Sequence, residues 1–131
     1  MKKERYTPEE ADYTFGGTNT VSEDFRIILA KALSKLPRKI VDWAAENLNF
    51  LSSTPDLAYT TTIKEWKHKK GFVFLCEPLK NRTEEEQTFY IAHEIAHLKL
   101  EHRSPIFSYL TEEETQKQEE EADELAKKWL S

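Results

Sequence analysis

Phe89-Tyr90-Ile91-Ala92-His93-Glu94-Ile95-Ala96-His97-Leu98-Lys99-Leu100 is the stretch on which the reading of this chain turns. At about 100° per residue, Phe89, Ala92, Ala96 and Leu100 form one apolar helical face, and Ile91, Ile95 and Leu98 form another. His93, Glu94 and His97 fill the wedge between them. A helix that is apolar on two sides runs through the middle of a domain, so the wedge is expected to be the floor of a cleft. Residues i and i+4 share a face, so both imidazoles can meet one ion with the Glu94 carboxylate alongside. That pattern supplies a metal site and a base.

Working outward, Thr83-Glu84-Glu85-Glu86 is a capping box, and the same pattern recurs at Thr111-Glu112-Glu113-Glu114. The first helix is expected to run to about Arg103, before Pro105, and the second from Glu112 onward. Towards the N-terminus, Phe25, Ile28, Leu29, Ala32, Leu33 and Leu36 make one helical stripe, with Ser22 as its N-cap and Pro37 as its end. A second helix follows to about Leu51, with Ile40, Val41, Ala44, Leu48 and Leu51 buried. Tyr59, Thr61 and Ile63 alternate against Thr60 and Thr62, and Phe72 to Cys76 is a β-rich run. These two runs read as paired antiparallel strands joined at Lys67–Gly71. Residues 1–20 are polar and carry Gly16-Gly17, which reads as a flexible arm before a single domain over 21–131.

The His93-Glu94-x-x-His97 pattern is the helical zinc signature of metallopeptidases, and catalytic zinc takes three protein ligands with one position open. A third histidine six residues after His97 is excluded, because Arg103 stands there and His102 is one residue short. Carboxylates of the last helix are the other source. Its buried stripe is Ala122, Leu125, Ala126, Trp129 and Leu130, and Glu119 lies nearest that stripe. Glu119 is the expected ligand, with Glu120 and Glu121 as alternatives. Asp123, one turn on, is placed to accept a hydrogen bond from the non-ligating nitrogen of a zinc histidine. Tyr90, His68, His102 and Tyr109 can each donate to an oxyanion, and the sequence does not choose among them.

The chain has 131 residues, 38% of them apolar, and a formal charge of −5, with a mean hydropathy of −0.73. This balance argues against nucleic acid or an anionic membrane as partner, since either needs a net basic face. The charged start MKKER has no apolar segment after it, and Cys76 is the only cysteine. Both features point to a cytoplasmic protein without disulfides.

His93-Glu94-x-x-His97 followed by Glu119-x-x-x-Asp123 resembles the gluzincins, the thermolysin-like zinc peptidases in which a glutamate from a later helix completes the site. The runs Gly71–Leu75, Phe89–Leu100 and Glu119–Ala126 are similar to ImmA/IrrE-type metallopeptidases, and equally to the small stand-alone minigluzincins. Ala96 departs from them by replacing the glycine common in that motif. The resemblance implies a compact α+β, zincin-like domain: N-terminal helices, a small antiparallel sheet, an active-site helix and a C-terminal glutamate helix. It also implies cleavage of a peptide or protein substrate, with a repressor-like protein as the physiological target.

The expected function is therefore zinc-dependent endopeptidase activity, with zinc on His93, His97 and Glu119 and with Glu94 as general base. The alternative is a non-catalytic, zinc-stabilised protein-interaction module. A structural zinc is usually closed by four protein ligands, and the sequence offers three with a base beside them.

Overall fold

The computed structural model describes residues 4–14, 22–53, 71–102 and 110–131. In order come α1 (Pro8–Thr14), α2 (Glu23–Leu33), α3 (Arg38–Asn47), β1 (Leu48–Ser53) and β2 (Gly71–Cys76). A 3-10 turn (Glu77–Asn81), α4 (Glu84–Lys99) and α5 (Glu112–Leu130) follow. The architecture is α+β, mostly helical with one small sheet.

Helix α4 is the axis of the molecule. It packs against α2 and α5 and touches β2. Ile91, Ala92, Ile95 and Ala96 are all fully buried, as the two apolar faces in the sequence require. Each isoleucine contributes on the order of 1.5–3 kcal/mol by leaving water. Ala92 and Ala96 keep those faces flat enough for neighbours to approach. Both capping boxes form. Thr83 Oγ1 accepts from the Glu86 N–H at 3.1 Å, and Thr111 Oγ1 accepts from the Glu114 N–H at 3.0 Å.

The first helical stripe packs as its spacing predicts, with Phe25, Leu29, Ala32, Leu33 and Leu36 buried. Ser22 occupies the N-cap position of α2 but makes no side-chain cap bond; its backbone N–H donates to Ser52 Oγ at 3.0 Å, tying α2 to β1.

Two expectations are corrected. The second helix stops at Asn47 instead of Leu51, and Leu48–Ser53 is strand β1. Ala44, Leu48 and Leu51 fit a helical stripe, but Leu48 and Phe50 also alternate with Asn49. A short apolar run is ambiguous between the two periods until a partner strand decides. That partner is β2, in the register Leu48↔Gly71 through Ser53↔Cys76. The second correction is that this pairing is parallel, not antiparallel. Parallel strands need a connection of about a dozen residues or more, which residues 54–70 supply. The expected strand at 57–63 and the loop at 67–70 lie outside the described residues.

Part of the stretch expected to be a flexible arm is helical and packed. Ala11 of α1 is fully buried, and Arg26 of α2 donates to both oxygens of Asp12 at 2.8 and 2.9 Å. Arg5 donates to the carbonyls of Lys35 and Trp129, and the Arg38 N–H donates to Glu4 O at 2.7 Å.

At the start of β2 there is no room for a side chain. A Cβ on Gly71 would come within 2.5 Å of Leu98 Cδ2, so the sheet touches α4 one residue past His97. No described helix is long and apolar enough to cross a membrane.

Candidate metal centre

His93 and His97 lie one turn apart near the end of α4 and face α5. Their Nε2 atoms are 3.0 Å apart. Glu119 of α5 reaches both, with Oε2 at 2.9 Å from His93 Nε2 and Oε1 at 3.1 Å from His97 Nε2. These three residues form a group that could hold a metal ion. Its spacing suits one. Ligands held at about 2.0–2.1 Å from a tetrahedral ion stand about 3.3 Å from each other. Two imidazole nitrogens and a carboxylate oxygen are also the donor set of zinc and its transition-metal neighbours, not of the all-oxygen sites of calcium or magnesium.

Asp123 Oδ1 lies 2.7 Å from His93 Nδ1. The contact is close but out of line with the ring N–H, so this buried nitrogen lacks a well-directed hydrogen-bond partner among the described residues. The other two candidate acids face elsewhere. Glu120 Oε1 accepts from Gln116 Nε2 at 3.2 Å, while Glu121 Oε1 lies 3.2 Å from His102 Nε2.

Burial drives the titration of α4's polar wedge. It raises the Glu94 carboxyl, against the pull of His93, and Glu119 raises it further. Burial also lowers the His97 imidazole, opposed by Glu119 and reinforced by His93 and His102. The neutral imidazole is the form that can ligate a metal. One turn before Glu94, the Tyr90 phenol is pushed up to about 12, mainly by burial and then by Glu94 and Cys76. Its hydroxyl donates to Phe74 O at 3.3 Å.

α4 ends earlier than Arg103. Lys99 is its last residue and Leu100 its cap. Glu101 then adopts a left-handed φ of 58°. The Glu101 N–H donates to Leu98 O at 3.1 Å, and the His102 N–H donates to His97 O at 3.0 Å. This is a Schellman reversal, and it folds His102 back over the helix end. His102 Nδ1 thereby comes 2.9 Å from His97 Nδ1. The sequence reading missed this partner because it weighed His102 as a third metal ligand and as an oxyanion donor, not as a neighbour of His97. The signal available was a histidine just past the helix end with a glutamate-rich helix to follow. Of the other candidate oxyanion donors, His68 and Tyr109 lie outside the described residues.

A mostly apolar cleft of about 1080 Å³ opens beside the group. It touches the group at His93 and Asp123, and its walls include Leu79, Phe89, Tyr90 and Leu130.

Two imidazoles and a carboxylate from two packed helices, with the half-buried Glu94 carboxyl beside them, make the group a candidate centre for metal-assisted hydrolysis. The chain is similar to one family in particular: residues 86–131, which hold most of α4 and all of α5, match the model of Peptidase U49. The match covers roughly a third of the chain and supports a peptidase. No curated protein and no solved structure matches the chain.

Proposed function

We propose that the chain is a zinc-dependent endopeptidase of the gluzincin type. The observation that carries this reading is the convergence of His93 Nε2, His97 Nε2 and Glu119 on one point, on the same helix pair that matches a peptidase family. When bound there, zinc would supply a water acidic enough to lose its proton near neutrality and a positive charge for the oxyanion of the attacked carbonyl. Glu94 takes the water's proton as general base and returns it to the leaving amine nitrogen. Its partial burial suits this exchange, because it raises the carboxyl and so makes it a stronger base than a solvated carboxylate. Asp123 orients His93. The cleft beside His93 has room for a substrate residue flanking the scissile bond. The likeness to ImmA/IrrE-type peptidases points to a repressor-like protein as the target.

The test is zinc stoichiometry by elemental analysis after dialysis against a weak chelator, wild type beside Glu119→Ala. About one zinc per chain in the wild type, lost in the variant, is expected. A wild type that takes no zinc after reconstitution would sink the proposal. Metal retained in Glu94→Gln together with undiminished cleavage would instead favour a zinc-stabilised interaction module with a contaminating peptidase.

A further inference from the structure

We propose that Arg5 is a positioning residue for the cleft beside the metal group. It ties the two walls at the far end of the cleft together and so sets how firmly a substrate flank is held there. The inference rests on the peptidase reading given above.

The cleft begins at His93 and Asp123 and extends to Lys35, Leu130 and Ser131. Lys35 follows α2, whereas Leu130 ends α5 and Ser131 caps it. Helices α2 and α5 each pack on α4 and far less on each other, so their ends need a fastener. One guanidinium spans them. Arg5 Nη1 donates to Lys35 O, while Nη2 donates to Trp129 O at 3.2 Å and reaches Ser131 O at 3.5 Å. Trp129 O is among the last four carbonyls of α5, which have no partner within the helix. A cation there also meets the negative end of the helix dipole. Charge-assisted bonds of this kind are about twice as strong as neutral ones.

The segment around Arg5 does not need these bonds for its own place. Glu4 O accepts from the Arg38 N–H at 2.7 Å, Tyr6 donates to Asp42, Ala11 is fully buried and Asp12 pairs with Arg26. What Arg5 adds is a bridge from this anchored segment to the end of α5. Nearer the metal group, Ala122 and Ala126 are buried and seat α5 without it. Loss of Arg5 is therefore felt at Leu130 and not at Glu119. From Asp123 to Leu130 the helix rises about 10 Å, the span of about three extended residues. A cleft of about 1080 Å³ encloses a ligand of that size. The wall that Arg5 holds thus meets the substrate about three residues from the scissile bond, where Leu130 offers an apolar contact.

The experiment uses the full chain with zinc added, wild type beside Arg5→Ala and Arg5→Lys. The probe is a mixture of quenched fluorescent peptides of random sequence, followed by the best-cleaved peptide alone, with amide hydrogen exchange read in parallel. Arg5→Ala should raise exchange at residues 126–130 about tenfold or more and leave 119–123 unchanged. KM should rise roughly 2–10-fold, since affinity falls with the fraction of molecules whose wall is in place, while kcat and zinc content stay as in the wild type. Lysine keeps the cation but gathers its donors on one nitrogen, which cannot meet both walls. Arg5→Lys should therefore raise KM nearly as much, and it decides if Arg5→Ala does not fold. Unchanged exchange at 126–130, an unchanged KM, full rescue by lysine, or loss of kcat or zinc overturns the proposal. A wild type that takes no zinc or cleaves none of the peptides defeats the peptidase reading instead, and the exchange data alone then decide whether Arg5 holds the wall.

Discussion

Helices α4 and α5 open on the same Thr-x-x-Glu capping box, but α4 runs through the core while α5 lies across it with most of its surface in water. The metal-facing side chains inherit that difference. His93 and His97 are 13% and 17% exposed, whereas Glu119 and Asp123 are 54% and 45% exposed. The imidazole half of the proposed centre is held by packing. The carboxylate half is held by how firmly Ala122, Ala126 and Trp129 seat α5. A bound ion would therefore do more to fix α5 than α4, since anything that binds only the folded arrangement stabilises what it touches.

The largest expected effect lies on the α4 side. Glu94→Gln should lower peptide hydrolysis roughly 10²–10⁴-fold while leaving zinc content unchanged. Loss of zinc in that variant would mean that Glu94 helps to hold the metal. Next comes the packing contrast, read from urea midpoints. Ile95→Ala opens a cavity beside His93 and His97 and should cost about 2–5 kcal/mol. Leu125→Ala on half-buried α5 should cost about 1 kcal/mol. Comparable losses would show that α5 is as firmly built in as α4.

Removing metal with a chelator should then raise amide hydrogen exchange around residues 119–123 more than around 91–96. An equal rise in both would break the contrast, because α4 would also depend on the ion. The smallest effect is at the caps. Thr83→Ala and Thr111→Ala should each cost about 1 kcal/mol.

For α4 the cap effect has a pH signature. The Thr83 N–H, then its hydroxyl, and more weakly Arg82 hold the Glu86 carboxyl below its usual 4.5. A lowered folded value means that the stabilisation is complete above 4.5 and fades as pH falls through the folded value. The melting difference between wild type and Thr83→Ala should shrink along that descent. A constant difference would remove the ionised carboxylate from the box.

The same contrast governs what could be read from the chain. In α4 the two apolar faces, the capping box and the His-Glu-x-x-His spacing all lie within one helix, where 3.6-residue periodicity applies, and its burial was legible. Glu119 was legible by phase, because Ala122, Ala126 and Trp129 mark the buried stripe from which its direction follows. The sheet was half legible. Phe72 to Cys76 reads as a strand, but the run from Leu48 to Leu51 satisfies two periods at once, and only its pairing with β2 settles it. The direction of that pairing is a property of the connection, not of either strand. His102 was invisible for another reason. Its position depends on one left-handed residue, and nothing in the identity of Glu101 announces that conformation.

The groups of the proposed centre lie late in this stretch of chain and follow one another, from His93 to Asp123. At the roughly 5–20 residues per second of synthesis, Glu119 is added about one to four seconds after His97. During that interval the nascent chain has both histidines and the base, but neither Glu119 nor Asp123. The helices that α4 packs against on its other side, α2 among them, have already been made. In the proposed centre, the chemistry waits until α5 has been made and has docked on α4.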